Sequence, residues 1–100
     1  MRLVLAALLA LAASAAAGAD ATFTLRVLTP ETALKAAQAA LASCRASGFQ
    51  VAVAIVDRMG VAQVLLRDRF AGPHTVDMAS AKAYTAVSFR TSTRELAEAT

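Results

Sequence analysis

Residues 71–86 read AGPHTVDMASAKAYTA and hold the only histidine of the chain. Imidazole is the commonest metal-binding side chain, so His74 either faces a bound group or is a solvated loop residue that fell there by chance. Both readings stand on the residues alone. Just upstream, Arg67 and Arg69 are two apart, and so share one face of any strand that runs that far, with Asp68 on the other. Two guanidinium groups on one face can hold two acidic groups through charge-assisted bonds; the alternative is a solvated strand end. Downstream, Lys82 is either a site ammonium or a surface side chain lying along apolar neighbours. Tyr84 is either a site residue or a packing ring with a bonded hydroxyl. Met78 reads as core or interface, and Asp57 as a turn acid.

Conventional hydrolytic chemistry has little to work with. The chain contains no G-x-S-x-G, no H-E-x-x-H and no phosphate-cradling glycine loop. A Cys44–His74 nucleophile pair is formally available. Cys44, however, falls on the apolar face of a helix, where a thiol is expected to be buried and inert. As the only cysteine it cannot bridge within the chain, which leaves a buried thiol or an intermolecular bridge.

The N-terminus explains part of the 58% hydrophobic content. MRLVLAALLALAASAAAGAD joins an early Arg2 to a Leu/Ala run from Leu3 to Ala13, then to small residues with the A-x-A pattern of signal-peptidase sites. Residues 1–19 are read as a signal peptide cleaved before Asp20, and residues 20–100 as a single exported domain, periplasmic or secreted. The run is too short and too rich in alanine for a transmembrane anchor. Without Arg2 the remainder carries nine Lys/Arg against seven Asp/Glu. Scattered arginines and few aromatics give no support to nucleic-acid binding. A domain this small, with no disulfide and no Cys/His cluster for zinc, needs an oligomer, a ligand or further chain for stability.

The elements that must carry these residues follow from pattern. TFTLRV (22–27) alternates polar and apolar, which predicts a strand. Thr29-Pro30-Glu31 opens a helix over about 30–47, with Leu34, Ala37, Leu41 and Cys44 on one face and Gly48 just past its end. QVAVAIVD (50–57) is apolar on both faces, as a strand covered on both sides would be. Its small Ala52 and Ala54 would admit a helix backbone. DRMG (57–60) is a turn, and VAQVLLRDR (61–69) returns as the second strand of a hairpin. Thr75 is expected to cap a second helix whose face of Val76, Ala79, Ala83, Ala86 and Val87 suits close packing. Ser92-Thr93-Arg94-Glu95 is a capping-box pattern that opens a third.

In that order, Val56-Asp57 closing a strand, Gly60 closing a turn, Arg67-Asp68 leaving the next strand, Lys82-Ala83-Tyr84-Thr85-Ala86 in a helix and Thr93 at the next helix start resemble the GlcG/HbpS family of small haem-binding proteins. That family is related to the C-terminal domain of PduO-type proteins, and the likeness covers about residues 31–100. It implies an α+β fold, an antiparallel sheet flanked by helices in a profilin- or roadblock-like layout, and a homo-oligomer. It also implies haem or a related tetrapyrrole as cofactor, with iron sequestration, sensing or haem degradation as the function. The family's glycine-rich closing strands do not follow here, so the domain is expected to be incomplete.

Haem needs an apolar slot, cations for its propionates and often an axial ligand. On the resemblance, His74 becomes the candidate axial ligand and metal-binding residue, and Arg67, Arg69, Lys82 and Tyr84 the candidate cofactor-binding residues. Asp57 could hold free iron instead. No residue stands out as catalytic, and whether the chain is an enzyme stays open. The competing readings are a non-catalytic oligomeric assembly or sensor-partner module, and a corrinoid- or flavin-binding domain.

Overall fold

The computed structural model describes residues 21–100; the leader expected over residues 1–19 lies outside them. The order is α1 (Pro30–Ala46), β1 (Ala52–Val56), β2 (Ala62–Arg67), α2 (His74–Phe89) and α3 (Thr93–Ala99). This is an α+β layout, with helices flanking a two-stranded antiparallel sheet.

Local chemistry explains most element boundaries. At the start of α1, Thr29 Oγ1 accepts from the Thr32 N–H at 3.2 Å, and Pro30 occupies the first turn, where a missing N–H costs nothing. At its end Gly48 turns to φ +86°, with Gly48 N donating to Arg45 O and Phe49 N to Cys44 O. These two bonds form a Schellman cap, which satisfies carbonyls the helix leaves unpaired. Between the strands, Asp57 Oδ1 accepts from Met59 N at 2.8 Å and Val61 N at 3.0 Å, and Gly60 takes φ +80°. Asp57 is therefore a turn acid with one carboxylate oxygen committed to the backbone.

The hairpin pairs Ala52 with Arg67, Val53 with Leu66, Ala54 with Leu65 and Ile55 with Val64, then jumps so that Val56 faces Ala62. Gln63 is the extra residue of this bulge. Bulges re-aim side chains, and Gln63 uses its freedom to donate from Nε2 to Leu28 O at 2.7 Å.

Three expectations are corrected. Residues 22–29 form no strand. Alternation gives a segment one apolar face but not a ladder partner, and residues 26–28 are tied to the hairpin by side chains instead: Gln63 to Leu28 O, and Arg58 Nε to Arg26 O at 3.0 Å. Phe23, Leu25 and Val27 accordingly remain exposed. Secondly, Thr75 does not cap α2. Pro73, with φ −62° and ψ −28°, already has helical geometry and takes the cap position, so the helix begins at His74, two residues earlier than a Thr75 cap would start it. The Thr75 hydroxyl turns back to donate to Gly72 O at 2.6 Å. Thirdly, the Cys44 thiol is only partly covered.

Ser92 does cap α3, accepting from Glu95 N at 3.1 Å. The Glu95 carboxylate does not return to the cap, as a full capping box requires, and instead accepts from the Thr91 hydroxyl at 2.7 Å.

Packing is thin. α2 lies mainly on β1, while α1 lies across both strands. Among the described residues only Ala33, Ala37, Ala71 and Asp68 are buried, and no large side chain is fully covered. Phe23, Phe49, Phe70 and Phe89 are all exposed, by 64–85%. Among the described residues no helix is long and apolar enough to cross a membrane.

Candidate functional site

α2 carries three of the five candidate residues, His74, Lys82 and Tyr84. His74, Met78 and Lys82 recur every four residues, so an imidazole, a thioether and an ammonium share one stripe of the helix. The stripe overlooks the chain entering β1. Together with Gln50, Val51, Ala52, Thr75 and Ala79 it lines an open concavity of about 200 Å³. Ala52 and Ala79 leave room there because neither has a side chain beyond Cβ.

His74 is exposed, with its ring lying over Gly72. A Cβ at Gly72 would stand 2.6 Å from Cε1 and 2.7 Å from Nδ1, but 3.8 Å from Nε2. A side chain at 72 would therefore push the exposed His74 ring aside, and the Cε1–Nδ1 edge is the one turned toward the backbone. Neither ring nitrogen is engaged in a hydrogen bond among the described residues. A neutral imidazole offers one nitrogen lone pair to a metal, and here that donor has no protein partner to give up.

The other candidates are not brought together with His74, except Lys82. β2 ends at Arg67, and Arg69 sits in the following turn, so the two arginines do not form a continuous strand face. Arg67 Nη1 donates to Ala71 O at 3.0 Å, which braces the Ala71–Pro73 loop that leads into α2. Arg69 is exposed, and its backbone N–H donates to Asp68 Oδ1 at 2.9 Å. Tyr84 lies on the hairpin turn, so close that a Cβ at Gly60 would meet its Cδ2 at 2.5 Å.

Two features lay beyond sequence reasoning. Met78, expected in a core or an interface, shares its four-residue spacing with His74 and Lys82 and is 55% exposed on the concavity. Asp68 had no signal in the sequence. It is 2% exposed and accepts two bonds from Arg45, at 2.8 Å from Nη2 and 3.1 Å from Nε. Arg45 is twenty-three residues away in the last turn of α1, where a cation also favours the helix dipole. The Arg45 hydrogen bonds, with help from the Arg69 N–H, hold the Asp68 carboxyl below the usual carboxylate range. The same contact raises the Arg45 guanidinium. This fork-like pair locks α1 to the end of β2 and so positions the loop that presents His74.

Among the described residues no group of three His, Cys, Asp or Glu side chains could hold a bare metal ion. The donor set at the concavity, one imidazole flanked by apolar surface and an ammonium, suits a metal carried within an organic ring better than a free cation. The model of the family described as haem degrading protein HbpS-like matches residues 28–100. No curated protein matches the chain.

Proposed function

The chain belongs to the family of HbpS-like haem degrading proteins, and from that premise we propose that it binds haem at the N-terminal end of α2, as an exported module assembled from several copies. The observation that carries this reading is the stripe His74–Met78–Lys82 facing the start of β1. His74 would supply a nitrogen ligand to the iron, neither ring nitrogen being engaged among the described residues. Lys82, two helical turns and about 12 Å further along the axis, neutralises a propionate. Val51, Ala52, Met78 and Ala79 supply apolar contact. Haem, when bound, would supply redox and oxygen chemistry through its iron; the chain's own residues bind, orient and partly shield it.

The size of the concavity supports assembly. Ligand sites usually enclose about 300–1,000 Å³, and about 200 Å³ on one open side is too little to surround a macrocycle. A second copy can supply the missing wall. The exposed Phe23, Phe49, Phe70 and Phe89, with only three apolar residues buried among the described residues, provide apolar area for such contacts.

Hemin titration of the full chain tests both parts. The expected result is a saturable Soret shift, altered in position by His74→Ala and weakened by Lys82→Gln. Light scattering should show an oligomer whose population rises with hemin. No saturable shift in the wild type would eliminate haem as ligand; a spectrum indifferent to His74→Ala would eliminate His74 as the axial donor. A stable oligomer indifferent to hemin would favour a non-catalytic assembly module.

A further inference from the structure

A second concavity lies at the opposite end of α2. It has a volume of about 460 Å³ and is lined by Leu25, Arg58, Met59, Val87 and Arg90. It shares no residue with the His74 concavity: along α2 their nearest lining residues, Lys82 and Val87, are five positions or about 7.5 Å apart, and His74 and Arg90 sixteen positions or about 24 Å. Its composition is particular: two guanidinium groups, and otherwise only apolar side chains.

Both arginines have donors to spare. Arg58 commits Nε to Arg26 O, which fixes the root of its fork while leaving the Nη groups unbonded among the described residues. The Arg90 guanidinium has no hydrogen bond or ion pair among the described residues. Asp57, the carboxylate next in sequence, is turned into the hairpin and accepts from Met59 N and Val61 N.

Arg90 is also out of place as a helix end. It closes α2 with φ +53° and ψ +43°, and is the only described non-glycine residue at positive φ. Glycine, sometimes asparagine, is the residue that fits this left-handed cap. Backbone strain of this kind gathers at functional sites, and here it coincides with an unpaired cation on an apolar concavity.

We propose that this concavity is a second ligand site, for a molecule that bears a carboxylate on an apolar body. The carboxylate is held between the Arg58 and Arg90 guanidinium groups, and the body lies on Leu25, Met59 and Val87. Planar guanidinium groups match a carboxylate through paired N–H donors, and the volume falls within the range of ordinary ligand pockets. The proposal is independent of haem binding at His74. A free aliphatic acid and the propionate edge of a tetrapyrrole present the same chemistry to the two arginines.

Titration calorimetry of the full chain with decanoate, below its micelle range, tests this, with decanol as the uncharged match. Decanoate should bind saturably and decanol should not. Arg58→Gln and Arg90→Gly should each weaken decanoate by about tenfold or more, the scale of a lost hydrogen bond to a charged group. Arg90→Gly should melt no lower than the wild type, because glycine relieves the cap while deleting the cation. Hemin that competes with decanoate in a His74→Ala background identifies a propionate as the source, and hemin that does not identifies a free acid. Failure of decanoate to saturate, equal binding of decanol, or unchanged affinity in both variants would overturn the proposal. If Arg90→Gly melts lower, Arg58→Gln, which leaves the cap intact, decides. Loss of the Soret response in His74→Ala with decanoate binding retained would separate this site from the haem reading.

Discussion

Gly48 and Gly60 make a matched pair for measuring what holds α2 to the hairpin. Both have nearly the same left-handed backbone, φ +86° and φ +80°. Alanine at either position therefore meets the same local penalty, about 1–2 kcal/mol for an L-residue held left-handed. Their surroundings differ. A Cβ at Gly48 meets nothing within 4 Å, whereas at Gly60 it would stand 2.5 and 2.9 Å from the Tyr84 ring. Restoring an ordinary carbon contact requires the ring to retreat by about 1 Å. Tyr84 is 57% exposed, so it can move, at the cost of an off-rotamer side chain of about 0.5–1.5 kcal/mol. Gly48→Ala is expected to cost about 1–2 kcal/mol and Gly60→Ala about 1.5–3.5, an excess of about 0.5–1.5. Per kcal/mol, a domain of this size loses about 4–8 °C in melting temperature.

Urea denaturation of the full chain, at one fixed protein concentration because assembly would shift the midpoint, gives both values. A double-mutant cycle isolates the ring. In a Tyr84→Ala background the excess cost of Gly60→Ala should vanish, leaving the Gly48→Ala figure. If Gly60→Ala costs no more than Gly48→Ala, or if the excess survives removal of the ring, then Tyr84 does not clamp the turn and the reasoning fails.

The Arg45–Asp68 pair makes stability pH-dependent in a defined direction. The Asp68 carboxyl is held below its ordinary range, chiefly by the Arg45 hydrogen bonds, so its contribution is complete above about pH 4 and is lost as pH falls through the folded-state value. The wild-type melting temperature should drop below about pH 4. Asp68→Asn should melt lower at neutral pH and show a flatter acid limb; an unchanged acid limb would refute this. Ser92→Ala removes the acceptor for Glu95 N and should cost about 1 kcal/mol. It should appear as faster amide exchange confined to Thr93–Ala99, and uniform exchange across the domain would count against it. Gly72→Ala should displace the His74 ring, which a Cβ would approach to 2.6 Å. The His74 proton resonances should therefore shift while far-UV circular dichroism stays unchanged, and static resonances would show that the ring is not held against the loop.

What could be read from the sequence is what neighbours within a few residues decide. The Thr29–Pro30 helix start, the Gly48 cap, the Asp57–Gly60 turn and the Ser92 cap all rest on bonds spanning five residues or fewer. Residue types in order were also sufficient for the α+β class and the family. Where short-range signals competed, pattern misled: Pro73 took the helix start from Thr75 because its ring presets the helical φ.

Tertiary structure decided the rest, because those contacts join residues that the chain separates widely. Alternation in residues 22–27 was real, yet a strand exists only where another backbone offers its ladder, and here side chains reached that segment instead. Asp68 gave no sign that it would be buried and paired with Arg45. The spacing of His74, Met78 and Lys82 was present in the chain, but only the docking of α2 on β1 turned that stripe toward a concavity. The same docking set Arg90 and Arg58 on one concavity. Helix periodicity determines which side chains share a face, and packing determines what that face meets.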